Sequence, residues 1–71
     1  MTLIDAELGK EYEIIGIDLD DEELDTFLFS LGCYEGEKIT VVNRSRSGAV
    51  VVIKDARYNI DKGLAGCIEI K

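Results

Sequence analysis

The side chains best suited to chemistry in this 71-residue chain form an acidic run around the start of its one predicted helix. Six carboxylates lie between residues 18 and 25, and the first four belong to Asp18, Asp20, Asp21 and Glu22. Carboxylate oxygens are the ligands that hard cations prefer, but the run lacks the spacing of a calcium-binding EF-hand loop. Acidic side chains at a helix N-terminus are also favoured by the helix dipole. Cation binding and a structural role are therefore both open.

The remaining reactive side chains do not form a catalytic set. The chain has no histidine, and histidine is the commonest general base and metal ligand. Cys33 and Cys67 therefore lack the usual partner of a nucleophilic thiol, and we expect both to be small buried apolar residues. No phosphate-binding loop of the G-x-x-x-x-G-K-[ST] type is present. We predict that the protein is not an enzyme.

Aromatic and basic side chains are the candidate contacts to a partner. Phe29 lies off the apolar stripe of the predicted helix, and Tyr34 follows in the next turn. Exposed aromatic residues are typical of interfaces, although Phe29 could also pack under the N-terminal segment. Three arginines bracket a predicted hairpin and could bind carboxylates or a phosphate, or be solvated loop charges. They are Arg44, Arg46 and Arg57.

Charge is distributed unevenly along the chain. Residues 1–37 carry twelve carboxylates and one lysine, a net charge of −11, whereas residues 38–71 carry a net charge of +4. An acidic surface repels nucleic acid and anionic lipid, so we expect neither as a partner. The asymmetry favours a basic protein partner, cations, or head-to-tail association of copies into a homo-oligomer. A merely solubilising surface is the alternative.

Length and hydropathy indicate one small cytoplasmic domain. A chain of this length can bury one modest core, so we expect a single domain over residues 1–71. No apolar run approaches the ~18 residues that cross a bilayer, which argues against direct membrane insertion. The N-terminus shows no basic region followed by an apolar stretch, so no signal peptide is recognised.

One helix is predicted between Asp20 and Gly32. Apolar residues recur there at helical spacing and define a face that we expect to point inward. These residues are Leu24, Phe27, Leu28 and Leu31. Asp20 is the expected N-cap, with Glu23 completing a capping box. Gly32 is expected to leave the helix in a left-handed conformation, which places Cys33 on Leu28.

Five strands are predicted around this helix, at residues 10–18, 37–44, 49–54, 57–61 and 67–71. The alternation of the first strand breaks at Ile14–Ile15, which predicts a bulge or a face switch eased by Gly16. Beyond it, Ile15, Ile17 and Leu19 are expected to turn inward. The third strand is expected to be the most buried. Five short strands with one helix between the first and second favour a small, partly open barrel over a flat sheet.

Turns and glycines separate these elements. Short connections at residues 45–48 and 55–56 predict two successive hairpins, and residues 62–66 are expected to hold one 3₁₀ turn. Residues 2–9 are expected to be an irregular lid that packs through Leu3, Ala6 and Leu8. We assign structural roles to Gly9, Leu24, Leu28, Leu31, Gly32, Gly36 and Gly48.

The order of these features resembles the ferrous-iron transport protein A family of small SH3-like barrels, whose domain also occurs at the C-terminus of iron-dependent repressors. The resemblance covers nearly the whole chain. Its pieces are Leu8-Gly9-Lys10 followed by Ile14, Ile15 and Ile17, then Leu28-x-x-Leu31-Gly32-Cys33-x-x-Gly36-Glu37, Ile39-Thr40-Val41 and Arg44, Gly48-Ala49-Val50-Val51-Val52, and Ala65-x-x-Ile68-x-Ile70. The chain departs from the family in a central hairpin without proline and in a strongly acidic helix.

The resemblance implies a mainly β, SH3-like five-stranded barrel and a non-catalytic cytoplasmic accessory protein of ferrous-iron uptake. The implied partner is the membrane ferrous-iron permease, contacted at its cytoplasmic GTP-binding region. No cofactor is required under this interpretation. The alternative is an SH3-like domain that binds or senses a transition metal, with weak Fe²⁺ or Mn²⁺ binding at the acidic run.

Overall fold

The computed structural model describes residues 1–71 and contains five strands and two α-helices. The strands are β1 (Glu11–Ile17), β2 (Lys38–Arg44), β3 (Gly48–Ile53), β4 (Ala56–Asp61) and β5 (Ile68–Ile70). They form one antiparallel sheet in the order β4-β3-β2-β1-β5. The expected helix, α1 (Glu22–Ser30), connects β1 to β2, and a second short helix, α2 (Lys62–Ala65), connects β4 to β5.

The core is built from one face of the sheet. Because successive side chains of a strand point to opposite faces, every second residue of β3 is buried, namely Ala49, Val51 and Ile53. No residue of β3 is exposed, which agrees with its prediction as the most buried strand. Pairs from the neighbouring strands complete the same core: Tyr12 and Ile14, Ile39 and Val41, and Ile68 and Ile70.

The bulge expected in β1 is present. The register between β1 and β5 shifts between Ile14 and Gly16. Ile14 is fully buried and Ile17 packs partly against the core, but Ile15 is 40% exposed. The prediction that Ile15 turns inward is therefore wrong, because the residue added by a bulge is left out of the pairing pattern.

The two hairpins are present, with one shift in position. The β3–β4 turn lies at Lys54–Asp55 instead of residues 55–56, since Ile53 pairs with Ala56. Both turn residues have positive φ values, 50° and 67°, as a two-residue type I′ turn requires. At the other end of β3, a Cβ on Gly48 would fall on the carbonyl oxygen of Ile60, so the close approach of β4 requires glycine.

The N-terminal segment is more regular than expected. Leu3–Asp5 forms a 3₁₀ turn that is capped by Thr2. Leu3 and Ala6 are buried in the core as expected, but Leu8 is 56% exposed. Its prediction as part of the lid is therefore wrong.

The chain has no helix whose length and apolar character would let it cross a bilayer.

Candidate partner-binding surface

Helix α1 begins one residue later than predicted. The carboxylate of Asp21 accepts hydrogen bonds from the backbone N–H groups of Glu23, at 3.0 Å, and Leu24, at 3.2 Å. Asp21 has the extended backbone of an N-cap, with φ −139° and ψ 109°. Only the residue directly before the first turn brings its carboxylate under the free N–H groups. The predicted cap at Asp20 and its capping box with Glu23 are therefore wrong.

The acidic run does not assemble into a metal site. All four candidate ligands, Asp18, Asp20, Asp21 and Glu22, are exposed. No group of three or more His, Cys, Asp or Glu side chains is placed to hold a metal ion. One carboxylate oxygen of Asp21 is already occupied by the helix N-terminus. The structure thus accounts for Asp21 as a cap and leaves the other three as separate surface charges.

The end of α1 follows its prediction closely. Gly32 has a φ of 88°, and its N–H donates to the carbonyl of Phe29 at 3.0 Å. The N–H of Cys33 donates to the carbonyl of Leu28 at 2.9 Å, which completes a Schellman motif. Cys33 and Leu28 are buried in the same core. Burial raises the pKa of the Cys33 thiol to about 11, so this thiol stays protonated and unreactive.

The apolar face of α1 is only half covered. Leu28 is fully buried and Leu31 is partly buried, whereas Leu24 is 37% and Phe27 48% exposed. The prediction that all four point inward is therefore wrong for Leu24 and Phe27. A Cβ on Gly32 would lie 3.3 Å from the Ile53 side chain, so the exit of α1 packs closely on β3.

Leu24 and Phe27 line an open groove of about 630 Å³, which we call the α1 groove. Its other walls come from the β2–β3 connection, the outer face of β3, β4 and α2, and include Asn43, Arg44, Ser47, Val50, Asn59, Ile60 and Leu64. The Arg44 guanidinium donates a hydrogen bond to the backbone carbonyl of Ala6. Arg44 therefore ties the N-terminal segment to this end of the sheet.

A second exposed apolar surface lies at the exit of α1. The Phe29 side chain is 64% exposed, and its ring centroid is 4.8 Å from that of Tyr34, with an angle of 31° between the planes. The alternative that Phe29 packs under the N-terminal segment is therefore wrong. Aromatic pairs at this distance attract one another beyond simple area burial. We call these two side chains the aromatic pair.

Lys54 contacts Tyr34 of the aromatic pair. Its ammonium donates to the Tyr34 hydroxyl at 2.8 Å and lies 3.5 Å from a carboxylate oxygen of Glu37. The ammonium is 5.1 Å from the ring centroid, on the hydroxyl side, so the contact is a hydrogen bond and not a cation–π interaction. The Tyr34 hydrogen bond, followed by the Glu37 charge, raises the pKa of Lys54 above its ordinary value. Lys54 is not among the predicted contact residues, because it lies 20 residues from Tyr34 along the chain.

The three candidate arginines do not form one site. Arg46 is exposed in the β2–β3 connection, and Arg57 is exposed on β4 opposite Val52. Neither takes part in an ion pair, because the two ion pairs of the chain are Lys38–Glu13 and Lys54–Glu37. The predicted contacts thus divide between the aromatic pair, the α1 groove with Arg44, the β2–β3 connection with Arg46, and β4 with Arg57.

Known proteins that are similar to this chain share its architecture. The family model of the FeoA domain matches residues 1–71, and no curated protein matches the sequence significantly. An iron uptake regulatory protein, FeoA, whose crystal structure is known, shares 25% sequence identity with this chain. The two structures superpose with a TM-score of 0.89 over 100% of this chain and 95% of that chain. The five-stranded, SH3-like barrel with a helix between its first two strands is therefore confirmed.

Two further structures share this fold. The iron(II) transport protein A of Clostridium thermocellum is 25% identical, with a TM-score of 0.90 over 100% of this chain and 44% of that chain. The chain thus spans less than half of that relative. A zinc complex of FeoA from Stenotrophomonas maltophilia, described as a prokaryotic SH3 domain protein, is 20% identical, with a TM-score of 0.86 over 100% and 89% of the two chains.

Proposed function

Because the chain belongs to the FeoA domain family, a family of non-catalytic accessory proteins of ferrous-iron transport, we propose that it regulates uptake by binding the membrane ferrous-iron permease. The contact lies in the cytoplasmic GTP-binding region of the permease, which places this chain in the cytoplasm. The chain acts as an interaction module and carries out no chemical step. The observation that carries the proposal is the exposed aromatic pair at the exit of α1.

The aromatic pair has the properties of a binding anchor. Phe29 is 64% exposed, and the hydroxyl of Tyr34 accepts a hydrogen bond from Lys54. Aromatic side chains near the centre of an interface contribute much of its binding energy, and anchors that are already ordered lose little entropy on binding. The Schellman motif at Gly32 fixes the backbone between the two rings. A partner therefore meets a surface that needs little rearrangement.

The α1 groove and the free arginines supply the outer contacts. Leu24 and Phe27 leave apolar surface uncovered, and Arg46 and Arg57 are cations without an ion-pair partner. Charged groups at the rim of an interface steer association more than they add affinity. We therefore assign recognition energy to the aromatic pair and orientation to Arg46 and Arg57. Arg44 contributes indirectly, through its bond to Ala6.

Binding to the purified cytoplasmic GTP-binding domain of the permease tests the proposal. We expect saturable binding, measured by calorimetry with GDP and with a non-hydrolysable GTP analogue. Phe29→Ala should weaken that binding at least tenfold, since it removes the anchor. Leu8→Ala is the matched control, because it truncates an exposed apolar side chain far from the pair. Absence of binding by the natural chain in both nucleotide states would contradict the proposal.

A transition-metal role is the second candidate, and the zinc complex of the S. maltophilia relative is the observation that favours it. The exposed carboxylates of Asp18, Asp20 and Glu22 could supply oxygen ligands for Fe²⁺ or Mn²⁺. Because no group of three ligands is assembled, such binding would be weak. Anaerobic titration with Fe²⁺ and Mn²⁺ tests it, and a saturable micromolar site that is lost in Asp20→Asn would establish it.

A further inference from the structure

The sheet has two edges, and only one of them is covered. At the β5 edge, Thr2 pairs with Glu69, and the N–H of Ile70 donates to the carbonyl of Met1 at 2.8 Å. At the other end of the sheet, β4 pairs with β3 alone. An uncovered edge presents a row of backbone donors and acceptors that can pair with another strand. β4 is therefore the edge at which a further strand can be added.

The backbone of β4 shows which groups are free. Ile53 and Ala56 flank the two-residue turn, and in such a hairpin the flanking residues exchange both of their N–H···O bonds. Because hydrogen-bonding direction alternates along a strand, Arg57, Asn59 and Asp61 direct their N–H and C=O groups away from β3. The C=O of Asp61, the N-cap of α2, also accepts the first hydrogen bond of that helix. The N–H of Lys62 donates to the carbonyl of Ser47 at 2.8 Å, which agrees with this alternation.

The charges of the exposed β4 side chains are complementary to those of a second, antiparallel copy of β4. The three outward residues read positive, neutral and negative, at Arg57, Asn59 and Asp61, and all are exposed. If two copies of β4 pair antiparallel about a two-fold axis at Asn59, Arg57 of each copy lies opposite Asp61 of the other. Centring the pair on Tyr58 would place Asp55 opposite Asp61, and centring it on Arg57 would place two arginines together. Like charges directly opposite are unfavourable.

The side chains of Arg57 and Asp61 are available for this pairing. Arg57 takes part in no ion pair. One carboxylate oxygen of Asp61 accepts the N–H of Leu64 at 2.9 Å to cap α2, and the second oxygen is free for a guanidinium. Tyr58 of the second copy would lie opposite Ile60, which lines the α1 groove together with Leu24. The same register thus supplies apolar contact on the inner side of the edge.

We propose that β4 is a self-association edge, at which two copies of this chain pair antiparallel about a two-fold axis at Asn59. A two-fold contact uses the same patch of both copies and closes on itself, so it forms dimers and not fibres. The three outward residues of the edge, Arg57, Asn59 and Asp61, carry charges of +1, 0 and −1, so the edge has no net charge. Repulsion between the distant acidic residues is screened over ~8 Å at physiological ionic strength. The pairing itself involves no permease, but it uses Arg57, which is also assigned to the permease contact.

Sedimentation velocity at physiological salt tests the pairing. We expect the natural chain to form a weak dimer that is detectable when the protein concentration is raised to about 1 mM. The dimer is weak because a short strand contact is smaller than a standard interface. Asn59→Pro removes an outward N–H and leaves the β3–β4 bonds intact, so it should give a folded monomer. Asn59→Thr keeps the N–H and should still dimerise. A monomeric natural chain at 1 mM, or a folded Asn59→Pro variant that dimerises equally, would overturn the proposal.

A charge reversal tests the complementarity. Arg57→Asp places a carboxylate opposite Asp61 twice in the symmetric dimer, and we expect it to weaken dimerisation by roughly tenfold. Lys71→Asp makes the same change of charge away from β4 and should have little effect. Equal weakening by both variants would show that net charge, and not pairing at the edge, controls association.

Cross-linking tests the register without depending on the proline variant. In a Cys67→Ser background, with Cys33 buried, Asn59→Cys places two thiols next to the two-fold axis. Arg57→Cys places them several residues apart, beyond the reach of a disulfide. We expect mild oxidation to link the first variant and not the second. The reverse result, or no link in the first variant beyond that of Glu35→Cys, would overturn this register.

Discussion

The ammonium of Lys54 donates a hydrogen bond to the hydroxyl of Tyr34 at 2.8 Å, and this contact joins the β3–β4 turn to the segment that follows α1. Lys54 also lies 3.5 Å from Glu37 at the entrance to β2. Three separate parts of the chain therefore meet at one exposed ammonium. These contacts link the Tyr34 side chain of the aromatic pair to the β3–β4 turn and to the start of β2.

Tyr34→Phe removes the hydroxyl that anchors Lys54 and leaves the ring in place. We expect a small loss of stability, because the contact is exposed to solvent. We expect permease-domain binding to weaken by about threefold, since the ring is less ordered before binding. Calorimetry and urea unfolding measure the two effects. Tyr58→Phe is the control, since the Tyr58 hydroxyl makes no hydrogen bond to another protein group. A comparable loss of binding in that variant would contradict the assignment.

The same contact predicts a dependence on alkaline pH. The Tyr34 hydrogen bond raises the pKa of Lys54 above 10.5. A cationic group whose pKa is raised in the folded state stabilises that state below its unfolded pKa, and the stabilisation is lost as pH rises through the folded pKa. The difference in unfolding free energy between the natural chain and Lys54→Met should therefore be constant from pH 7 to about 10 and shrink above it. Urea titrations at each pH measure this, and a difference that grows above pH 10 would contradict it.

The N-cap of α1 can be assigned by two neighbouring substitutions. Asp21→Ala removes the acceptor of two backbone N–H groups and should lower the unfolding free energy by about 1 kcal/mol. Asp20→Ala removes the same charge one residue earlier, where no such hydrogen bond exists, and should change stability by less than about 0.5 kcal/mol. Thermal unfolding of both variants decides between the two residues. A larger loss for Asp20→Ala would move the cap back to Asp20.

Substitution of two glycines with positive φ distinguishes the cost of backbone strain from the cost of altered packing. Gly32 and Gly36 have φ values of 88° and 93°. A Cβ on Gly36 meets nothing within 4 Å, whereas one on Gly32 would lie 3.3 Å from Ile53. Gly36→Ala should therefore cost about 1 kcal/mol from backbone strain alone. Gly32→Ala should cost about 1 kcal/mol more, because the core must adjust. Equal costs in denaturant unfolding would contradict the packing of the α1 exit on β3.

Two leucines of α1 test how far the helix is covered. Leu28 is fully buried and Leu24 is 37% exposed. Leu28→Ala should lower the unfolding free energy by about 2–5 kcal/mol, because it leaves a cavity in the core. Leu24→Ala should lower it by less than about 1 kcal/mol. Urea unfolding of the two variants measures the difference. Similar large losses would mean that the first turns of α1 are packed as the sequence pattern predicts.

Local features of this protein were predictable from the sequence. The strand alternation, the bulge between Ile14 and Gly16, and the helix exit at Gly32 each depend on residues that are close along the chain. Their physical causes are the alternating direction of strand side chains and the left-handed conformation that glycine adopts without strain. The order of these features was also sufficient to identify the family that the comparison confirms. Errors of one residue, as at Asp21, arise because neighbouring acceptors compete for the same cap.

Tertiary structure alone decided which of those features meet. The sequence pattern assigned Leu24 and Phe27 to the core, but both are exposed and line an open groove, whereas the exit of α1 packs closely on Ile53 of β3. The bond between Lys54 and Tyr34 and the free edge of β4 depend on contacts between distant residues. Periodicity tells which side chains share a face. Only the folded chain determines whether that face is covered, because coverage requires a second element at the right distance.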